Sequence, residues 1–210
     1  RDRHMSLAAF THGLVLSFGL IVAFGPQNVF IFQQGATQPR FRQAVPTVVT
    51  AGVADTLLVL LAVLGVSVVV LEFAWLQTGL FAAGFVFLWY VGWVLYTAPD
   101  FEPNATGADR LGTREQVGFT ASVSILNPHA ILDTVGVIGT NALAYAGANR
   151  WSFTVGCLIV SWGWFTGLAI VGRRLGGAAP GWLRHLNTVS AVLVWLAALY
   201  MGVQLVDLVV

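Results

Sequence analysis

The chain has 210 residues, of which 57% are hydrophobic and only 9% are charged, and its formal net charge is +1. About a quarter of the residues in an ordinary globular domain are charged, so this composition excludes a typical soluble protein. All ten basic residues are arginine, which excludes any mechanism that needs a lysine, such as a retinal Schiff base. A single cysteine, Cys157, excludes an intrachain disulfide and a paired-thiol electron relay.

Three long stretches without Asp, Glu, Lys or Arg determine the protein class: 73–99, 151–172 and 186–206. A hydrocarbon core of about 30 Å is crossed by a helix of about 20 residues, so each stretch is long enough to span a membrane. A soluble core rarely uses so many uninterrupted apolar runs. We therefore predict an all-α polytopic membrane protein with six transmembrane helices.

The six helices are predicted in chain order from apolar length, caps and helix breakers. The segments run over about 6–34, 46–71, 73–97, 113–144, 152–171 and 186–206. Ser6 suits an N-cap and Gly35 a C-terminal cap, while Pro46 suits a first helical turn. The run Thr113-Arg114-Glu115-Gln116 resembles a capping box. Residues 1–4 resemble the remnant of a cloning tag, and we leave them out of the topology.

Two proline breaks divide the chain into halves. The first segment breaks at Gly25-Pro26 and the fourth at Asn127-Pro128, and the two prolines are 102 residues apart. The predicted halves are 5–97 and 113–210, joined by the polar loop 98–112 within one integral membrane domain. Because each half has three spans, the second half must be inverted in the membrane. Inverted repeats with paired broken helices are typical of secondary transporters, which work by alternating access around a midplane site.

The distribution of arginine predicts the orientation, because basic residues accumulate in cytoplasmic loops. Outside residues 1–4, one side of the predicted membrane carries seven arginines and the other side carries only Arg150. The seven are Arg40, Arg42, Arg110, Arg114, Arg173, Arg174 and Arg184. We therefore expect the first, third and fifth loops to be cytoplasmic and both termini to be outside.

Each break leaves backbone N–H groups unpaired at the start of the second half-helix. These groups and the helix dipole favour an anion, and the carboxylate of an amino acid is a natural ligand for such a helix end. The first break offers them near Gln27 and Asn28, and the second offers them near His129, with Asn127 beside it. We therefore predict that Gln27, Asn28 and Asn127 bind the substrate.

Two carboxylates inside the spans, Asp55 and Asp133, carry the predicted charge chemistry. An aspartate at membrane depth costs about 2.5–3.5 kcal/mol on insertion scales, so it usually faces a partner or a cavity. Asp133 follows His129 by four residues and shares its helix face. Two such carboxylates suit an ammonium or guanidinium group, and they also suit a proton cycle. We predict that both aspartates bind substrate and that, with His129, they couple transport to protons.

Each candidate also has a structural alternative. Asp55 could hydrogen-bond to a neighbouring Ser or Thr as a packing residue, and Asp133 could pair with His129 to hold the break. The amide side chains at the breaks could satisfy freed backbone groups. The remaining polar and small residues have structural interpretations: back-bonding for Ser122, Ser124 and Thr134, an interfacial position for Gln33 and Gln34, and close helix packing for Gly163 and Gly167.

The two break motifs also resemble those of a known family. Gly25-Pro26-Gln27-Asn28 with Gln34-Gly35 resembles the first-helix motif of the lysine/arginine exporter (LysE) family. Leu126-Asn127-Pro128-His129 with Asp133 resembles its fourth-helix motif, and the histidine here favours the basic amino-acid branch over the threonine/homoserine branch. The resemblance spans the whole chain. It implies export of L-lysine or L-arginine, coupled to the proton-motive force, across the lipid of a prokaryotic plasma membrane, often by a homodimer.

Other functions stay open from the residues alone. The two aspartates with His129 and Asn127 could bind an inorganic divalent cation, although a metal site usually has more carboxylates. Another small amino acid is a further alternative substrate. An intramembrane hydrolase using Ser124 and His129 lacks the Gly-x-Ser-x-Gly turn around its serine. A passive channel is the remaining alternative. We predict no cofactor, no resident metal, no enzymatic activity and no nucleic-acid partner.

Overall fold

The computed structural model of the chain describes residues 6–22, 25–65, 74–97, 111–126, 130–131, 133–178 and 185–209. All regular structure within these ranges is helical. In chain order the helices are α1 (Leu7–Ile21), α2 (Pro26–Thr37), α3 (Phe41–Val63), α4 (Ala74–Thr97), α5 (Thr113–Ile125), a π-helical segment (Asp133–Gly139), α6 (Thr140–Leu143), α7 (Ala148–Ala178) and α8 (Leu186–Val209). The prediction of an all-helical protein is therefore confirmed for the described part of the chain.

Two of these helices are long and apolar enough to cross a membrane: α3, and α7 over Ala148–Gly176. The pair α1 and α2 is a third candidate if it forms one broken span, with an angle of 82° between its halves. Shorter apolar helices cover Ala82–Thr97, Thr134–Leu143 and Thr188–Tyr200. The six-helix arrangement with two inverted repeats stays a prediction, because two or three candidate spans among the described residues do not define it.

The predicted break in the first segment is confirmed. The Ser6 hydroxyl accepts a hydrogen bond from the Ala9 amide and caps α1, as expected. The last residue of α1 is Ile21, and Pro26 is the first residue of α2, preceded by Gly25 in an extended conformation. Proline is well placed there because the first amide of a helix has no intrahelical acceptor.

Two predicted helix ends are wrong for identifiable reasons. Gly35 does not end a helix, because α2 continues to Thr37. A Cβ on Gly35 would lie 2.2 Å from the Ala169 carbonyl oxygen, so this glycine permits close contact with α7. Pro46 does not start a helix either, because α3 begins at Phe41 and contains Pro46. The missing proline N–H leaves only the carbonyl of Arg42 unbonded, and that residue is exposed to solvent.

The start of α5 is shifted by one residue from the predicted capping box. Gly112 occupies the N-cap position, and its backbone amide donates to the Glu115 carboxylate at 2.8 Å. The helix ends at Ile125, just before the predicted second break, and the described residues resume after that break. Asn127, Pro128 and His129 lie outside the described residues.

Helix α7 is the element on which α1, α2 and α3 all pack, while α4 packs on α8 and α5 packs on α3. Glycines bring the backbones of α7 and the broken segment together on both sides of the break. A Cβ on Gly156 would lie 2.4 Å from the Phe10 carbonyl oxygen, and one on Gly172 would lie 2.2 Å from that of Phe32. A Cβ on either residue of the predicted packing pair, Gly163 and Gly167, would meet no atom of a neighbouring helix within 4 Å, so within the described part of the chain this pair makes no such contact.

Two apolar clusters lie at different heights along α3. One uses Val48 and Ala51 of α3 with Ile31, Phe165, Leu168 and Ala169 of α2 and α7. The other uses Val59 and Val63 with Ala9, Ile138, Ala142, Phe153 and Cys157. Asp55 lies on α3 between these two clusters, so the fold surrounds this carboxylate with apolar packing above and below.

Candidate functional site

Asp55 is the carboxylate that the structure places inside a candidate span. Its side chain is half-buried as a whole, and it makes a hydrogen bond with Ser161 of α7. Its carboxylate oxygen Oδ2 is buried and has no hydrogen-bond partner. The structural alternative, a hydrogen bond to a neighbouring serine, is therefore present, but it does not satisfy Oδ2.

The unpartnered oxygen is a feature that packing alone does not explain. A buried acceptor without a donor costs about 1–3 kcal/mol, and native structures satisfy most buried polar side chains. Asp55 Oδ2 thus has free capacity to accept a hydrogen bond from a cationic group.

Ser161 is suited to a carboxyl group that gains and loses a proton. Its hydroxyl also donates to the Cys157 carbonyl oxygen, four residues earlier, at 3.2 Å. A hydroxyl has one proton to donate and can also accept. It can therefore donate to an ionised Asp55, or accept from a protonated Asp55 while donating to Cys157. Sequence inspection missed Ser161, because its role depends on α7 packing against α3.

At the first break, Asn28 makes a hydrogen bond to the freed backbone, and Gly25 and Pro26 form the break. The Asn28 amide donates from Nδ2 to the Ile21 carbonyl oxygen at 2.8 Å, across the gap between α1 and α2. That carbonyl is freed where α1 ends, so for Asn28 the structure supports the alternative in which the amide satisfies the backbone. Gln27 is half-buried next to it. Gly25 and Pro26 form the break itself, and Gly25 has no side chain to cap the first turn of α2.

The described residues flank the second predicted break but do not include it. The substrate and proton candidates Asn127 and His129, and the breaking residue Pro128, lie outside them. The backbone of Asp133 begins the π-helical segment, which packs against α3. π-helical turns are rare and occur frequently at functional sites. The fold therefore brings the segment that Asp133 begins against the helix that carries Asp55.

Two further side chains carry buried polar atoms without partners: Ser124 and Trp164. The prediction of back-bonding is confirmed for Ser122, whose hydroxyl donates to the Gly118 carbonyl oxygen at 2.8 Å. It is wrong for Ser124, whose hydroxyl is buried and makes no hydrogen bond. Trp164 lies on α7, three residues after Ser161, and its indole Nε1 is likewise buried and unpartnered. Neither feature has a signature in the sequence.

Buried glutamines form a separate cluster near the arginine-rich side, which we call the glutamine cluster. It consists of Gln34, Gln38, Thr47, the Leu111 carbonyl and Gln116. Gln38 donates to Gln34 Oε1 at 3.0 Å, and the amides of Gln38 and Gln116 both donate to the Leu111 carbonyl oxygen. Gln34 is only 4% exposed, so its side chain lies inside the protein, and its predicted position at the membrane interface stays a prediction.

In the first half of α1, His12 contacts two aromatic residues, which the sequence did not suggest. Its Nδ1 is 2.8 Å from the Tyr145 hydroxyl, and its ring packs against Phe153. The Arg150 guanidinium donates to the Tyr145 carbonyl oxygen at 3.0 Å. These contacts join α1 to the segment between α6 and α7. Among the described residues, no three His, Cys, Asp or Glu side chains cluster as metal ligands would.

Comparison with known proteins identifies the family of the chain. The profile of LysE type translocators matches residues 18–205. The chain is 48% identical over 204 residues to the putative amino-acid transporter YisU of Bacillus subtilis (strain 168), covering 95% of this chain and 91% of that protein. No solved structure matches the chain.

Arginine exporters are also among its relatives. The arginine exporter protein ArgO of Enterobacter sp. (strain 638) is 30% identical over 200 residues, covering 91% of this chain and 92% of that protein. The ArgO protein of Escherichia coli O157:H7 is 30% identical over 201 residues, covering 92% of each chain. The family and these names indicate a membrane transport protein rather than an enzyme. The chain therefore belongs to the LysE type translocator family.

Proposed function

We propose that this protein exports a basic L-amino acid, arginine or lysine, by proton antiport with alternating access. The observation that carries the proposal is Asp55 Oδ2, a buried carboxylate oxygen without a partner in a candidate membrane span. Relatives named as arginine exporters match over more than nine tenths of the chain. A guanidinium or an ammonium group offers the donors that this oxygen lacks.

Energetics require a coupling ion. Moving one positive charge out against an inside-negative potential costs about 2.3 kcal/mol per 100 mV, so another ion must move inward in exchange. In our proposal Asp55 binds the cationic group in one half of the cycle and a proton in the other. Its hydrogen bond with Ser161 supports the cycle because that hydroxyl can serve either protonation state.

The remaining predicted site residues complete the proposal. Asp133 and His129 share the proton and cation chemistry of Asp55, on the segment that follows the second break. The carboxylate of the substrate is bound near the start of α2 by Gln27 and Asn28, and by Asn127 at the second break. These assignments are supported by the break at Pro26 and by the packing of the π-helical segment on α3.

The proposed setting is the plasma membrane of a prokaryote. Arginine bias favours cytoplasmic first, third and fifth loops and external termini. Six spans in two inverted repeats are proposed with the breaks of the first and fourth facing each other near the midplane. Within this setting membrane lipid surrounds the protein, and a homodimer is the proposed assembly.

Transport of labelled arginine and lysine into inside-out vesicles, with and without a pH gradient, tests the proposal. We expect gradient-driven uptake by the natural sequence and its loss in both Asp55→Asn and Asp133→Asn. The matched control is Glu115→Gln, because Glu115 is an exposed carboxylate that only caps α5. Retention of gradient-driven uptake by both aspartate variants would overturn the proposal.

Another small amino acid is the second candidate substrate, because the relative at 48% identity is named only as a putative amino-acid transporter. Thermal unfolding of the purified protein with each of the twenty amino acids separates these alternatives. A ligand that binds only the folded state raises the melting temperature, so arginine or lysine should produce the largest increase. Calorimetry with divalent cations tests the third alternative, a metal exporter.

A further inference from the structure

Trp164 carries an unused hydrogen-bond donor within the protein. Its Nε1 is buried and has no acceptor. An indole N–H can only donate, and buried tryptophans usually find a partner for it. Two other tryptophans of the chain do so: Trp162 donates to the Thr56 hydroxyl at 3.1 Å, and Trp195 donates to the Trp89 carbonyl oxygen at 3.2 Å. Among the described residues, Trp164 is the one tryptophan whose buried indole nitrogen has no hydrogen-bond partner.

The indole ring of Trp164 is located beside the break between α1 and α2. It packs edge-to-face against Phe18 of α1, with 5.9 Å between ring centroids and an interplanar angle of 88°. It also borders the apolar cluster that contains Ile31 of α2, together with Ile21 at the end of α1. The ring thus contacts α1 through Phe18 and packs against a cluster to which α2 contributes Ile31.

Trp164 and the partner of Asp55 share one face of α7. Ser161 and Trp164 are three residues apart, so their Cβ atoms are about 5–6 Å apart on the helix surface. Ser161 makes the hydrogen bond with Asp55. A buried donor without an acceptor therefore lies on the same helix as the partner of Asp55, whose Oδ2 is a buried acceptor without a donor.

This pair of unmet groups is complementary to an amino acid. The ligand carries a carboxylate, which needs donors, and at least one cationic group, which needs acceptors. We infer that the Trp164 indole N–H donates to the substrate carboxylate while Asp55 binds a cationic group of the same molecule. Trp164 is thereby a specificity residue that makes transport depend on the carboxylate. This inference rests on the proposed function and adds a residue to its site.

The test compares arginine with agmatine, which is arginine without its carboxylate. Binding of both is measured on the purified full-length protein by calorimetry, for the natural sequence and for Trp164→Phe. Phenylalanine keeps an aromatic ring but has no N–H. We expect the affinity for arginine to fall about tenfold or more, as for a lost hydrogen bond to a charged group. The affinity for agmatine should stay within about twofold, because the missing contact is one that agmatine never makes.

Trp162→Phe is the matched control. It also removes an indole N–H from α7, but this N–H already donates to Thr56. It should change the affinities for arginine and agmatine by the same factor. A second variant replaces Trp164 by benzothienylalanine, in which sulfur takes the place of the N–H in a ring of nearly the same shape. It should reproduce the selective loss of arginine binding even if the phenylalanine variant is poorly folded.

The outcomes separate the two ideas. Equal losses for arginine and agmatine in the Trp164 variants, or no loss in either, would overturn the role of Trp164 while leaving basic amino-acid export intact. Absence of arginine and lysine binding to the natural sequence would instead overturn the proposed function and this inference with it. A loss restricted to arginine supports both.

Discussion

The glutamine cluster and the surroundings of Asp55 are both buried and polar, yet they differ in how their hydrogen bonds are made. In the glutamine cluster the Thr47 hydroxyl donates to Gln116 Oε1 at 2.9 Å, and the glutamine amides reach the Leu111 carbonyl. Around Asp55, one carboxylate oxygen and the Trp164 indole nitrogen are buried without partners. Asp55 is eight residues beyond Thr47, about 12 Å along α3.

In our proposal, this difference separates groups that hold helices together from groups that bind a ligand. Paired buried polar groups fix the relative position of α2, α3 and α5, because moving one helix would leave several of them unsatisfied. Unpaired buried groups cost stability, and our proposal assigns a ligand to those of Asp55 and Trp164. Mutations in the two regions should therefore separate stability from transport.

The largest expected effect is on transport by Asp55→Asn. Asparagine preserves the volume and a partner for Ser161 but removes the charge that binds the cation and the site that binds the proton. We expect gradient-driven arginine uptake to fall at least a hundredfold, which corresponds to about 3 kcal/mol. The melting temperature should stay unchanged. Vesicle uptake and thermal unfolding measure the two quantities. A large decrease in melting temperature would mean that Asp55 belongs with the structural groups.

Gln116→Ala should have the largest effect on stability. It removes one hydrogen bond to the Leu111 carbonyl and one from Thr47, inside a cluster where Gln116 is 2% exposed. We expect a loss of about 2–3 kcal/mol in the free energy of unfolding, from two lost bonds and a cavity. Transport by the protein that remains folded should be retained. A chemical denaturation series in detergent measures the loss, and an unchanged midpoint would contradict the structural role.

The pair Thr47 and Gln116 should show a smaller coupling in a double-mutant cycle. Thr47→Val and Gln116→Leu each leave a buried partner unsatisfied, whereas the double variant replaces both by apolar groups. We expect the double variant to be about 1 kcal/mol more stable than the sum of the single effects. Strictly additive effects would mean that this hydrogen bond contributes nothing.

The smallest effect is predicted for Ser124→Ala. Its hydroxyl is buried without a partner, so its removal should leave the free energy of unfolding unchanged or raise it by less than about 1 kcal/mol. Thr120→Val, on the same helix, removes a buried hydroxyl that donates to the Gln116 carbonyl oxygen at 2.7 Å. It provides the comparison with a paired group. Destabilisation by Ser124→Ala as large as that of a paired group would contradict the observed lack of a partner.

The sequence predicted the positions of the helices better than it predicted their ends. Ser6 and Pro26 act through local backbone chemistry, so their roles as cap and first helical residue were predictable. Gly35 was misassigned because a glycine that permits helix contact looks the same in a sequence as a glycine that ends a helix. Pro46 was misassigned because α3 begins five residues before it, at Phe41. The contact of Gly35 with Ala169 involves a residue far along the chain.

The candidate site also has a part that the sequence predicted and a part that it did not. Asp55 was identifiable because an uncharged apolar span makes a single carboxylate conspicuous. Its partner Ser161 was not, and the back-bonding predicted for Ser124 was wrong. Serine and threonine hydroxyls in helices usually donate to a carbonyl four residues earlier, as Ser122 does. Which hydroxyl departs from that pattern depends on the neighbouring helices.

The sequence by itself determined the helical membrane character of the chain, the break at Pro26 and the presence of a carboxylate in the second segment. These properties depend on hydrophobicity and on backbone chemistry within a few residues. Only the tertiary structure decided which buried polar atoms are paired. Those partners are distant in the chain: Thr47 is 69 residues from Gln116, and Trp162 is 106 residues from Thr56. Helix packing alone brings them together, and it leaves Asp55 Oδ2 and Trp164 Nε1 without partners.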